Sequence, residues 1–295
     1  PEGRIYRTRC RYRSPLLTQV SLGEGITYMG NDIFRSSGLT SITITRNVSQ
    51  IGLSPFSACT QLTEINVDEA NPYFSSLDGV LTDKNRTTIV AYPAGKGKRY
   101  IIPDGITKIG THSFFACYPI TYIHIPNSVK TIELFAFASC TDLDTVILGN
   151  SVDSIEVAAF RINDRLKTIY SMNPIPPAAH TGAFDSFNSF FIQCTLHVPA
   201  GSLQAYKNAE VWKNFKNIVE NDFTGIERST PNKAKIFGNK NSIAFRNIEP
   251  GTDISIYDTT GKCIKTFAMD GDSEIPLPSG IYLIKYAGRT VKIIL

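Results

Sequence analysis

The stretch Ile125-Pro-Asn-Ser-Val-Lys-Thr-Ile-Glu-Leu-Phe-Ala-Phe-Ala-Ser-Cys-Thr-Asp-Leu143 decides the fold, because its apolar positions return at a constant interval on either side. Val129, Ile132, Phe137, Cys140, Leu143 and Val146 stand 23 residues after Ile106, Ile109, Phe114, Cys117, Ile120 and Ile123. They stand the same distance before Val152, Ile155, Phe160, Asn163, Leu166 and Ile169. A fixed period of this size marks a stacked repeat, since one unit cannot bury its own apolar face and must share a core with its neighbours.

Each unit has a physical layout. Ile120-x-x-Ile123-x-Ile125 is short, β-branched and alternating, which suits a strand. Asn127-Ser128 turns the chain, and Val129-x-x-Ile132 crosses back as a second extended piece. Phe137-x-x-Cys140-x-x-Leu143 steps by three without a β-branched run, so a single turn of α or 3₁₀ helix is expected. A strand with a helical turn at this period is the leucine-rich-repeat layout, a mixed α/β solenoid.

The phrase from 125 to 143 resembles the BspA-type leucine-rich repeats of bacterial surface proteins, over roughly residues 20–220. Ser128 and Ser151 stand where the standard pattern carries an Asn or Cys ladder, so the carbonyls there are expected to be satisfied differently. The resemblance implies a secreted or cell-surface protein on the exterior of a bacterial envelope. It further implies non-catalytic adhesion to a host, matrix or bacterial macromolecule.

Two earlier units extend the repeat. One runs Ile26, Met29, Phe34, Leu39, Ile42 and is one residue short between Phe34 and Leu39; the next runs Val48, Ile51, Phe56, Cys59, Leu62, Ile65. The period then breaks over 71–93, which reads as two strands around Asp83-Lys-Asn-Arg86, an inserted hairpin. Gly95-Lys-Gly-Lys98 lacks phosphate-loop spacing and reads as a solvated turn. Tyr100-Ile-Ile102 restarts the ladder.

Asn173-Pro-Ile-Pro-Pro177 stops the repeats, and Leu196–Pro199 is a last strand. Ser202 is placed to cap a helix over 202–219 whose stripe of Leu203, Tyr206, Trp212, Phe215 and Val219 would close the solenoid. Residues 1–220 thus form the first domain, and the polar stretch 221–232 reads as a linker. Beyond it the period becomes 2, with strands at 242–245, 254–257, 263–267 and 281–286, and a turn at Asp270-Gly-Asp272. Short, evenly spaced strands over 233–295 predict a small all-β sandwich. Ile256-Tyr-Asp-Thr-Thr-Gly-Lys262, Leu277-Pro-Ser-Gly-Ile-Tyr-Leu-Ile-Lys285 and Val291-Lys-Ile-Ile-Leu295 resemble the C-terminal sorting domain of type IX secretion substrates. That resemblance implies a role in export.

Composition narrows the classes. The net charge of +4 over 295 residues forms no basic stripe, which argues against nucleic-acid binding. No apolar run approaches the ~18 residues of a membrane span. The chain opens at Pro1 without a charged-then-apolar leader, the expected look of a mature or trimmed form. A monomer is expected. Cys59, Cys117 and Cys140 share one repeat column, so they read as small buried residues with free thiols. Cys10, Cys194 and Cys263 lie far apart without a Cys-x-x-Cys, which argues against zinc.

Catalytic signatures are missing from the sequence. It has no nucleophile elbow, no His-Glu-x-x-His and no dinucleotide fingerprint. His112, His124, His180 and His197 have no metal-ligand spacing, and Asp142 and Asp144 flank a core leucine. Asp270-Gly-Asp-x-Glu274 reads as a turn before it reads as a calcium loop, and Asn47-Val-Ser49 and Asn85-Arg-Thr87 are sequons without meaning in a typical bacterium. No enzyme, no cofactor and no metal are expected.

A binding face follows from strand geometry. Residues flanking the central isoleucine of each strand point away from the core. These are Ser41 and Thr43, Glu64 and Asn66, Tyr122 and His124, Thr145 and Ile147, and Thr168 and Tyr170. Tyr122, His124, Ile147, Thr168 and Tyr170 are the candidate partner-binding residues, apolar and aromatic as interface anchors are. Plain strand propensity accounts for the same residues. The alternative ligand is a carbohydrate, which needs an exposed planar aromatic flanked by amides or carboxylates.

Overall fold

The computed structural model describes residues 4–5, 15–184, 188–223, 235–239, 242–246, 248, 251–269, 273–286 and 289–295. They fall into two units, Pro1–Asp222 and Phe223–Leu295. The first is a β-solenoid of about eight turns with few helices.

Each full turn after the insertion gives one strand to each of two ladders in which successive turns pair in parallel. In the turn that begins at residue 122, Tyr122–His124 enters a six-stranded sheet and Thr131–Ile132 enters a seven-stranded one. The partner of Ile132 is Ile155, and that of Ile123 is Val146, so the interval seen in the sequence is the strand register itself. Where turns pass closest, only glycine fits: a Cβ on Gly149 would lie 2.4 Å from the Pro126 carbonyl oxygen.

The third side is not helical, contrary to the expectation for Phe137–Leu143. It is a run of turns in which local and inter-turn hydrogen bonds alternate. Ala136 N–H bonds back to Glu133 O at 3.1 Å, while Phe137 N–H bonds to Ala159 O of the next turn at 2.8 Å. Ala138 again bonds locally, to Phe135 O, and Ser139 bonds onward to Arg161 O at 2.8 Å. A helix directs every amide along its own axis, so it leaves none for the neighbour. The alternation requires left-handed residues, and these recur in register: His112, Phe135 and Ala158 have φ of 58, 53 and 56°, and Ala116, Ser139 and Ile162 have 57, 60 and 60°. Such a φ costs about 1–2 kcal/mol for an L-residue, most plainly for β-branched Ile162, and it persists because the ladder satisfies the amides.

Phenylalanines stack along the axis. Centroids of Tyr92–Phe114, Phe114–Phe137, Phe137–Phe160 and Phe160–Phe184 are 4.7, 4.7, 5.2 and 5.5 Å apart. Phe114, Phe137 and Phe160 are fully buried.

The cysteine column does more than fill space. Cys59 Sγ lies 2.9 Å from Phe34 O and Cys140 Sγ lies 3.1 Å from Phe114 O. One turn on, Asn163 takes the same position and donates to Phe137 O and Phe160 O at 3.0 Å. This is the Cys/Asn ladder whose absence was inferred from Ser128 and Ser151; it sits in another column. Ser128 Oγ donates to Ile106 O at 2.7 Å, whereas Ser151 Oγ turns to Asn150.

The insertion carries three strands, not two. Phe74–Leu77, Val80–Asp83 and Thr88–Ala91 form an antiparallel meander. The extra turn is Asp78-Gly79, with φ of 50 and 72°, the paired positive values of a type I′ hairpin. Thr88–Ala91 then pairs in parallel with Lys108–Ile109, which splices the insertion into the seven-stranded sheet.

The helix expected over 202–219 divides into three pieces. Leu203–Asn208 is α-helix, Trp212–Asn214 is 3₁₀, and Asn217–Asn221 is a strand parallel to Thr195–Pro199. Val211, with φ of 72°, ends the helical path, and the free edge of the sheet claims β-branched Ile218 and Val219. Ser202 makes no side-chain cap; Glu220 Oε1 accepts from Leu203 N–H at 2.9 Å instead. Trp212 Nε1 donates to Pro177 O at 2.7 Å, and Tyr206 Oη to Asn173 O at 2.8 Å, so both buried aromatics have their polar atoms paired.

In the second unit the described elements are strands. Lys235–Asn239, Ser242–Arg246 and Ser273–Pro276 form a three-stranded sheet. Asp253–Tyr257, Cys263–Ala268, Ile281–Tyr286 and Arg289–Ile294 form a four-stranded one. Phe245, Ile254, Ile256 and Ile284 share one core. The linker expected over 221–232 lies outside the described residues from 224 onward, as do Cys10 and the turn 270–272.

Two outcomes follow. Phe137→Ala removes the middle of the stack and is expected to cost about 3–5 kcal/mol in chemical denaturation; a loss under about 1 kcal/mol would break the register drawn here. Cys117 and Cys140 are buried and free, and burial pushes the Cys140 thiol up to about 12. A thiol reagent on the folded chain should label exposed Cys263 promptly and leave Cys117 and Cys140 until denaturant is added, as peptide mapping would show.

Candidate functional site

The six-stranded sheet brings the five candidate residues onto one face. Its strands are Arg99–Ile101, Tyr122–His124, Thr145–Leu148, Thr168–Ser171, Thr195–Pro199 and Asn217–Asn221. Core residues Tyr100, Ile123, Val146, Ile169, Leu196 and Ile218 run along the middle of these strands. On one side of that row lies a column of Arg99, Tyr122, Thr145, Thr168, Thr195 and Asn217. On the other lies Ile101, His124, Ile147, Tyr170, His197 and Val219.

Exposure divides the candidates. His124, Thr168 and Tyr170 are half-buried. Tyr122 is 8% exposed and Ile147 3%, although neither joins the contiguous apolar cluster inside the solenoid. The Arg99 guanidinium covers the Tyr122 ring at 3.8 Å, a cation–π contact. Ile147 sits in register between the larger rings of His124 and Tyr170. Tyr122 and Ile147 are therefore the floor of the face, and His124 and Tyr170 stand above it.

Sequence reasoning missed Arg99, Ile101, His197 and Val219. Arg99 and Ile101 lie one period before Tyr122 and His124, so arithmetic carried back through the insertion would have found them. His197 breaks the arithmetic but keeps the pattern, flanked by core Leu196 and Val198. Its ring stacks on Tyr170 at 4.6 Å and 19°.

The two histidines differ in their partners. Asn221 donates its amide to His197 Nδ1 at 2.7 Å, which places the imidazole proton on Nε2. His124 Nδ1 is buried and makes no hydrogen bond. Burial pushes both imidazoles below the usual histidine range, with Asp104 partly opposing this at His124. Burial raises the Tyr122 phenol, Arg99 opposes it and Tyr170 reinforces it. The early outward positions pair as well, Ser41 with Glu64 and Thr43 with Asn66, in a separate two-stranded sheet.

Among the described residues no group of three or more His, Cys, Asp or Glu is placed to hold a metal ion, and no helix is long and apolar enough to cross a membrane. The face offers stacking surface, a guanidinium and imidazole nitrogens, which are means of recognition.

Residues 8–77 and 93–196 match the BspA type leucine rich repeat region, in six copies. The chain belongs to this family. No curated protein matches the chain. Among solved structures, this BspA-type solenoid is similar to the pneumococcal vaccine antigen PcpA, at 18% identity and a TM-score of 0.48, covering 68% of this chain and 61% of that one. It is similar to a leucine-rich repeat protein from Eubacterium ventriosum, at 26% identity and a TM-score of 0.48, covering 59% and 46%. A leucine rich cell surface protein from Faecalibacterium prausnitzii gives 19% identity and a TM-score of 0.43, covering 74% and 57%. The BspA-type chain thus spans about half to three fifths of the length of these proteins.

Depressed histidines set a pH dependence for the solenoid. Burial lowers His112, His124 and His197, so the unfolded chain binds protons more tightly than the folded one. Stability is then level above about pH 6.5 and falls as the pH drops below it. Thermal melts between about pH 5 and pH 8 should show this decline, and His124→Gln should remove part of it. An unchanged slope in that variant would exclude His124 as a contributor.

Proposed function

We propose that this chain is a non-catalytic, secreted or cell-surface binding protein that engages a host, matrix or bacterial protein through its six-stranded face. The observation that carries this reading is the unbroken column Ile101, His124, Ile147, Tyr170, His197 and Val219 across six parallel strands. Rings on a floor of Tyr122 and Ile147 bury much area at small entropic cost, as binding hot spots do. Arg99 at the rim favours a partner with an acidic group nearby.

The remaining parts have roles in the same reading. The segment from Leu203 to Phe215 serves as the solenoid's cap, since Tyr206 and Trp212 cover its last turns. Residues 235–295 act as a β-sandwich sorting domain of the type IX kind, as their turn and strand phrases suggest, and the chain works as a monomer.

The test starts with the whole chain against immobilised extracellular-matrix proteins. For any protein that binds, Tyr170→Ala with His197→Ala should weaken the affinity about 30-fold, roughly 2 kcal/mol, with little change in melting temperature. Deleting residues 235–295 should impair export from a type IX-competent host and leave binding intact. Unchanged affinity in the double variant would move the site off this face.

A further inference from the structure

A second, polar site lies at the corner turns of the first three units. There a groove of about 650 Å³ is lined by Glu24, Arg46, Asn47, Ser49, Pro72 and Tyr73 among others. That volume falls within the roughly 300–1,000 Å³ of small-molecule sites.

The insertion creates the groove. At the later corners neighbouring turns are stitched together: Gly105 N–H donates to Ser128 Oγ at 3.2 Å, and Asn150 N–H to Asn127 Oδ1 at 2.8 Å. At the early corner Asn47 Nδ2 donates to Glu24 O at 2.7 Å, but past Ala70 the chain leaves for the inserted strands. Pro72 and Tyr73 then stand as the far wall.

Tyr73 is fixed in backbone and open in side chain. Its N–H donates to Asn71 Oδ1 at 2.8 Å, and its carbonyl accepts from Lys84 N–H at 2.9 Å. Asn71 is itself fully buried and donates to Thr45 O and Val48 O, both at 2.9 Å. The tyrosine nevertheless remains 53% exposed. Beside it, the Arg46 guanidinium sits 3.6 Å from Glu24 and 3.4 Å from Asp68. Lys84 Nζ also donates to the Glu69 and Asn71 carbonyls beside this corner, so two cations stand near the Glu24 and Asp68 carboxylates, a near balance that favours an uncharged ligand.

We propose that this groove binds a neutral pyranose unit of a glycan. The apolar face of the sugar ring lies on Tyr73, and its hydroxyls reach the Glu24 carboxylate, the Arg46 guanidinium and the Asn47 amide. An aromatic plate with polar groups along one edge matches a pyranose, which has an apolar face and a hydroxyl rim. The groove is separate from the six-stranded face, so the two readings fail independently.

The experiment uses the full chain with methyl glucoside, methyl galactoside and methyl mannoside as probes, and methyl glucuronide as the anionic comparison. Saturation-transfer NMR and calorimetry should find millimolar binding of at least one neutral sugar. Tyr73→Phe should keep it, whereas Tyr73→Ala and Glu24→Gln should each weaken it at least about tenfold. Glu24 is exposed, so Glu24→Gln tests the site even if Tyr73→Ala disturbs the insertion. No binding of any neutral sugar at about 50 mM would overturn the proposal. So would affinity unchanged in Tyr73→Ala and Glu24→Gln, or tighter binding of methyl glucuronide than of every neutral sugar.

Discussion

Every second amide on the turn side of this solenoid has to find its carbonyl in the next turn, and the rest of the structure depends on that constraint. Phe114, Phe137 and Phe160 donate to Ala136, Ala159 and Ala183, and each such bond fixes the height of one turn on its neighbour. The left-handed residues that make this possible are aspartate, alanine, serine, phenylalanine, histidine and isoleucine rather than glycine. Their conformational cost is spread over the stack and met by satisfied backbone groups on three sides of each turn. A lone unit has no neighbour to accept those amides, so the fold exists only as an array.

Side-chain columns follow from the fixed height. Aromatic rings in one column meet at stacking distance, and the cysteine or asparagine three residues on reaches back to a phenylalanine carbonyl of the preceding turn. A thiol and an amide are interchangeable there because both are small donors in a dry site. The same height aligns the outward residues, which is why a ring at 170 stacks on a ring at 197 although the chain between them departs from the period.

Both candidate sites arise where regularity meets an exception. The six-stranded face is regular in backbone and varied in side chain. Its floor closes because Arg99 lies over Tyr122 and large rings flank Ile147. The corner groove is the reverse: ordinary residues become a cavity because the insertion diverts the chain after Ala70 and brings Tyr73 into one lining with Glu24 and Arg46. Sequence spacing foresees the first kind of site and is blind to the second.

The sequence by itself determined the period, the buried columns and the strand positions of the regular repeats, because burial of apolar side chains repeats wherever the chain repeats. It also placed Tyr122, His124, Ile147, Thr168 and Tyr170 on one face, since side-chain alternation in a strand is a local property. Only the tertiary structure decided that Tyr122 and Ile147 are floor rather than anchors, since exposure depends on neighbours from other turns. It replaced the expected helical turn with a third ladder, because the competing acceptors lie one turn away in space and 22 or so residues away in sequence. It divided the closing helix for the same reason: Asn217–Asn221 takes the partner offered by the sheet edge, and no local pattern reveals that an edge is open.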